Sequence, residues 1–170
     1  MGRVGILRED SRVELLEGEL IDMSPIGSVH LSVVNTLTMI FARQVGDVAI
    51  VSTQNPVSLL PDSEPQPDIA LLRPRQDRYR NALPVATDVL LIVEVSDTSI
   101  EYDRQVKLPL YAQHGIPEVW IIDLQAGCME IYRDPNERGY RKLLQRNRGD
   151  IASPTLASAV SVALNELWPD

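Results

Sequence analysis

Residues 89–95, Val-Leu-Leu-Ile-Val-Glu-Val, form an apolar run broken only at Glu94. A strand that is apolar at successive positions has to be covered on both faces, because a half-solvated strand alternates apolar and polar residues instead. The run therefore predicts the centre of a sheet with helices on either side. It also poses a problem at Glu94. An ionised carboxylate in such a strand is costly unless a cation, a hydrogen-bond network or a raised pKa compensates it. Asp68 repeats the problem, since it follows Pro67 and opens a second apolar stretch, residues 68–72.

The rest of the chain supplies cover for these strands. Residues 13–23 alternate apolar and charged positions on either side of Gly18, which predicts a strand, turn and strand stopped by Ser24-Pro25. Ser28–Gln44 repeats apolar residues at helical spacing, with Val29, Val33, Leu37, Ile40 and Phe41 on one face. Short strands are predicted over 48–52 and 57–60, separated by Asn55-Pro56, with a turn-rich loop at 61–65. A second helix is expected over 101–114, with Val106, Leu110 and Tyr111 as its apolar face and Gly115 as its stop. Pro109 is awkward there and predicts a kink or a late start. A strand over 118–124 and a hairpin pairing 128–133 with 140–145 follow, then a poorly patterned tail, 151–168. No repeat or linker interrupts the pattern, so one domain spanning 1–170 is expected, of α/β class with a mixed sheet.

Charge and composition narrow the function. The formal net charge is −8, which argues against a surface that tracks nucleic-acid phosphates throughout. The distribution is uneven: the first 70 residues hold four Arg against ten Asp or Glu, whereas 133–148 hold six basic residues against Asp134 and Glu137. That segment is either a local basic face or a solvated hairpin surface. Apolar runs are strand-sized, so no membrane span is expected. Arg8, Glu9, Asp10 and Arg12 interrupt any signal-peptide core, which points to a cytoplasmic setting. Cys128 is the single cysteine and reads as a packing residue. No Gly-rich phosphate loop or G-x-S-x-G context appears, and two histidines cannot build a His-rich metal site. His30 reads as a structural residue, His114 as a helix C-cap, and Tyr111 and Trp120 as core aromatics.

Two carboxylates at strand edges suit a hard cation. Asp68, Glu94 and the backbone carbonyl of Val95 are candidate ligands for Mg²⁺ or Mn²⁺, ions that orient a phosphate and assist a water nucleophile. Lys107 is the third candidate, because the chain has 14 Arg and only two Lys. A lysine can place a point charge or a proton-transfer group beside a water where Arg would not serve. Asp103 lies four residues earlier, so Lys107 is either one half of a surface ion pair or a catalytic group that Asp103 orients.

The stretches 14–25 (ELLEGELIDMSP), 66–70 (QPDIA), 93–96 (VEVS) and 107–120 (KLPLYAQHGIPEVW), in that order, resemble the Uma-two endonuclease-like family of the PD-(D/E)xK nuclease superfamily. The resemblance covers nearly the whole chain. It implies a restriction-endonuclease-like core of helix, strand, strand, strand, helix, strand, with extra N-terminal strands and a C-terminal hairpin. It implies a Mg²⁺- or Mn²⁺-dependent enzyme cutting DNA, in which Asp68 and Glu94 bind metal and Lys107 serves the attacking water. The superfamily's lysine two residues after the Glu is Ser96 here, and the family pattern moves that function to Lys107. The family also implies an acidic residue on the N-terminal strand pair, for which Glu19 is the best match and Glu14 and Glu17 compete. A homodimer would supply one site per strand. A catalytically degenerate binding or regulatory protein on the same fold, and an RNA-directed nuclease, are the competing expectations.

Overall fold

A computed structural model describes residues 13–23 and 25–168. The charged positions 8–12 and Ser24, on which two expectations rested, lie outside the described residues. In chain order the elements are β1 (Val13–Leu16), β2 (Glu19–Asp22), α1 (Ser28–Gln44), β3 (Ile50–Thr53), β4 (Ile69–Leu72) and β5 (Val89–Ser96). Next come α2 (Ile100–Tyr102), a π turn (Asp103–Lys107), α3 (Leu108–Gln113), β6 (Glu118–Asp123), β7 (Cys128–Asn136) and β8 (Gly139–Asn147). Two short strands, β9 (Ile151–Ala152) and β10 (Val162–Ala163), pair near the end.

The six-stranded mixed sheet has the order β3-β4-β5-β6-β7-β8, antiparallel except for the parallel pair β5–β6 that α2 and α3 connect. Every residue of β5 is buried, as its apolar run requires. The pleat divides the strand between two cores. Leu91, Val93 and Val95 pack with Leu37 and Phe41 of α1, while Ile92 packs with Leu110, Tyr111 and Ile116. With a side-chain period of two, Glu94 shares the face of Ile92, beneath α3. The predicted helix-strand-strand-strand-helix-strand order is present as α1, β3, β4, β5, α2 to α3, and β6, and the chain is of mixed α/β class.

Several local expectations need correction. Val29 is 58% exposed, and Val34 joins Val33, Leu37, Ile40 and Phe41 in the buried face of α1. The first turn of that helix borders a cavity instead of covering the sheet, which frees Val29 from packing. Residues 57–60 form no strand; Val57 and Leu59 are buried, but Ser58 and Leu59 make only isolated bridges. The strand placed at 48–52 is Ile50–Thr53, and Val48 is exposed. Val106 also faces outward, because the π turn presents Lys107 inward in its place. Among the described residues no helix is long and apolar enough to cross a membrane.

The weakly patterned tail is core. Ala152, Val160, Val162, Leu164 and Leu167 pack with α1 and the sheet, one or two from each short turn, so no period announces them. Glu118 fastens the tail, since its buried carboxylate accepts from Trp120 Nε1 at 2.6 Å, Arg133 at 2.9 Å and the Thr155 amide at 2.8 Å. Leu164→Ala therefore lowers stability by about 2–5 kcal/mol, read as a lower midpoint in urea with the slope unchanged. An unmoved midpoint would show that the tail packs independently of the core.

Candidate active site

Register brings the two carboxylates together. Ile69 pairs with Val93 across β4 and β5, so the residue before Ile69, Asp68, comes opposite Glu94 at the same end of the sheet. Asp68 is held from three directions. Its Oδ2 accepts the Val95 amide at 2.9 Å and lies 3.0 Å from His30 Nε2, and its Oδ1 accepts Gln54 Nε2 at 3.3 Å. Glu94 is held through Oε1, which accepts the Tyr111 hydroxyl at 2.6 Å and Lys107 Nζ at 3.4 Å. Lys107 Nζ is also 3.2 Å from Glu14 Oε2, and Glu14 accepts the Gln66 amide at 3.2 Å.

Local chain geometry explains how Lys107 reaches this point. Pro109 has no N–H to give and its ring crowds the carbonyl four residues earlier, so regular α-geometry is disfavoured just upstream. The chain widens there into the π turn Asp103–Lys107, whose Asp103 and Lys107 are both buried. Downstream, Gly115 adopts φ +72°, and the amides of Gly115 and Ile116 donate to the carbonyls of Ala112 and Tyr111. This pair of bonds is a Schellman ending, which a glycine makes without strain. His114 sits at the helix end with Nδ1 2.9 Å from the Leu110 carbonyl. At the other side of the site, Glu17 and Gly18 both carry positive φ, the conformation of a two-residue hairpin turn. That hairpin lays β1 against residues 62–66 and points Glu14 inward.

Asp68, Glu94, Glu14, Asp103, Asp22 and Asp97 line a half-open cavity of about 380 Å³, against the single lysine Lys107 and His30. Burial pushes the Glu94 carboxyl up to about 8; Lys107 opposes that shift, and Asp103 and Asp68 add to it. Burial works against the Lys107 ammonium, but the Glu94, Glu14 and Asp103 carboxylates outweigh it and raise its pKa. Burial likewise raises Asp103. One ammonium cannot neutralise three buried carboxylates, so Glu94 keeps its proton near neutral pH. Among the described residues no three His, Cys, Asp or Glu side chains converge as a ready-made metal cage.

Of the candidates read from the sequence, Asp68, Glu94, Val95, Asp103 and Lys107 all line this cavity. Lys107 is 5% exposed, which disposes of the surface ion pair. Asp103 accepts from the Ser96 hydroxyl at 2.6 Å and the Ser99 hydroxyl at 2.9 Å. Val95 meets Asp68 through its amide. Glu19 is exposed and does not line the cavity: it shares a hairpin face with Glu14 but pairs with Leu16 beside the turn, whereas Glu14, at 3% exposure, pairs with Ile21 at the end that borders the cavity. His30 and Tyr111, read as structural, both bond site carboxylates. A histidine or tyrosine in an apolar helical pattern gives no sign of that; only the superposition of helix ends on strand ends reveals it.

The chain matches the model of the Uma2 family, described as "Putative restriction endonuclease", over residues 5–165. It is also similar to the crystal structure of a "putative nuclease belonging to DUF820" from Anabaena variabilis, with a TM-score of 0.79. That likeness covers 98% of this chain and 94% of the other at 16% identity, a level that speaks for the fold. No curated protein matches the chain.

The raised Glu94 pKa has a thermodynamic consequence. A carboxyl at about 8 in the fold, against an ordinary 4.5, binds a proton that the unfolded chain has released. Its contribution to stability is thus full below the lower value and lost as pH rises through the higher one. In metal-free buffer the unfolding midpoint of the wild type falls from about pH 5 to about pH 8 more steeply than that of Glu94→Gln, which has no proton to lose. Equal slopes would mean that the proton is not on Glu94.

Proposed function

The chain belongs to the Uma2 family, and on that footing we propose that it is a divalent-cation-dependent endonuclease that hydrolyses phosphodiester bonds in DNA. The observation that carries the reading is Lys107. Ser96 holds the position of the usual lysine, yet an ammonium from the following helix reaches Glu94 at 3.4 Å. The lysine function is thus supplied from a different element.

The residues fit a hard cation such as Mg²⁺ or Mn²⁺. The donors are carboxylate oxygens, six acidic side chains surround the cavity, and Glu94 holds a proton that a cation would replace. Tyr102, which lines the cavity, has a buried hydroxyl with no hydrogen-bond partner among the described residues, as a site completed by water or phosphate would. Asp68 and Glu94 would hold the ion. When bound, it supplies Lewis-acid stabilisation of the phosphate and a more acidic water.

The remaining roles belong to the chain. His30, Gln54 and the Val95 amide fix the Asp68 carboxylate, so no reorganisation is needed when substrate arrives. The carboxylates around Lys107 keep it charged, so it donates hydrogen bonds and stabilises negative charge, and a proton-accepting role is disfavoured. Glu14 and Glu94 hold it between them, within the cavity wall. Away from the site, Arg138, Arg141, Lys142 and Arg148 lie exposed along the β8 hairpin and offer positive charge to a nucleic-acid backbone. Leu143 and Leu144 are exposed on the same edge strand, which supports a homodimer formed there, with one site for each DNA strand.

The test is cleavage of DNA and RNA substrates with Mn²⁺ or Mg²⁺ by the wild type and by Asp68→Ala, Glu94→Ala and Lys107→Ala. Loss of about 10²-fold or more in each variant is expected, with DNA preferred over RNA. An inactive wild type that also gains no thermal stability from Mn²⁺ would favour the degenerate scaffold. Replacing Arg141 and Lys142 together by Ala lowers the salt dependence of DNA binding by about two units of log–log slope. An unchanged slope would remove the β8 edge from the interface.

A further inference from the structure

We propose that Tyr111 is a positioning residue of this site, whose hydroxyl holds one oxygen of the Glu94 carboxylate and thereby fixes the plane of the group with its other oxygen turned to the cavity. The inference rests on the reading of Asp68 and Glu94 as cation ligands. Tyr111 is fully buried among Leu110, Ile116, Val119 and Ile121, so it cannot touch a substrate and acts through Glu94. Packing alone would be served by phenylalanine, since a hydroxyl taken into an apolar core costs free energy unless it finds a partner. Its partner is Glu94 Oε1 at 2.6 Å, the short end of the range for a hydroxyl donor.

Lys107 Nζ donates to that same Oε1 at a longer 3.4 Å, and among the described residues nothing donates to Oε2. Both donors therefore sit on one oxygen, and rotating the carboxylate out of its plane breaks both bonds. Oε2 is left as a single-oxygen ligand. Without the hydroxyl, the flexible ammonium would be the only anchor and would draw the carboxylate into a closer pair, in competition with any incoming cation.

The chain is built to hold the hydroxyl there. Asp103, Lys107 and Tyr111 are spaced by four, and on a regular α-helix such residues would drift by about 40° at each step. The wider π turn winds more slowly and takes back that drift, so all three face the sheet. The carbonyl of Tyr111 accepts the Ile116 amide in the Schellman ending at 3.0 Å, which anchors its backbone as the core anchors its ring.

The experiment compares the full-length wild type with Tyr111→Phe. Mn²⁺ binding is measured by calorimetry and by the Mn²⁺-induced rise in unfolding midpoint, alongside DNA cleavage kinetics. Removing a group that orients a metal ligand weakens Mn²⁺ affinity by about 10–100-fold, with the metal-free far-UV spectrum and the KM for DNA unchanged and cleavage recovering at higher Mn²⁺. Wild-type Mn²⁺ affinity in Tyr111→Phe overturns the inference and leaves the nuclease reading intact. A wild type that binds no Mn²⁺ and cuts nothing overturns the nuclease reading, and this inference with it. Should Tyr111→Phe fold poorly, it is added to Glu94→Gln: a hydroxyl that acts only through the carboxylate causes no further loss of Mn²⁺ affinity there, and a further loss refutes the proposal.

Discussion

The Lys107 ammonium, shared between Glu14 and Glu94 in the interior, is the interaction on which the rest of the arrangement depends. It ties together, through polar contacts, three parts of the chain that also meet in one apolar cluster: the N-terminal hairpin, the central strand and the crossover helix. A buried ammonium without carboxylates, or these carboxylates without the ammonium, would be untenable at this depth. Yet the cluster is not balanced. Three acids face one base, and the residual negative charge appears as a proton retained on Glu94 and a raised Asp103. On the proposed reading, that imbalance is what gives a cation its place.

The fold was more legible than the site. An apolar run broken only at Glu94 predicts a central strand because burial on both faces leaves no alternation, and β5 is buried along its whole length. Helix α1 and the β7–β8 hairpin follow from periodicity in the same way. The tail was not legible, since its buried residues come one at a time from turns and carry no period. At the site, Asp68, Glu94 and Lys107 could be picked out because a charge in an apolar strand, or a rare lysine, departs from its surroundings. Glu14 could not be preferred to Glu19, because the two share one face of the hairpin and only the docking of its open end on the cavity separates them. Tyr111 and His30 were hidden for the opposite reason: each suits its local pattern, and only the meeting of non-local elements gives its polar atom a second use. The π turn was foreshadowed by Pro109, but its consequence, Lys107 inward and Val106 outward, required coordinates.

The cavity wall is acidic, whereas Arg138, Arg141, Lys142 and Arg148 gather exposed positive charge along the β8 hairpin, with Arg43, Arg73, Arg78 and Arg80 exposed elsewhere. Strands in a sheet are about 4.8 Å apart, so β8, three strands from β5, stands about 14 Å from Glu94 and one strand further from Asp68. A polyanion drawn to that edge would still be repelled by the cavity until a cation entered. On the proposed function, affinity for the backbone and readiness to react therefore reside in different places, and the metal links them. A net charge of −8 is then less of an obstacle than it first looks, since attraction need only be local.

The site draws on residues 14, 68, 94, 107 and 111, contributed by four separate segments, and its central strand is completed on the α1 side by the tail. Contacts of such sequence separation form late, because long loops must close before they are rewarded. During synthesis Glu14 emerges first and waits for partners more than ninety positions away. No fragment ending before the crossover helix can hold its carboxylates in place, and one lacking the tail lacks part of the core beneath them. Whatever chemistry this cavity performs therefore waits until a stretch as late as Leu167 has joined the core.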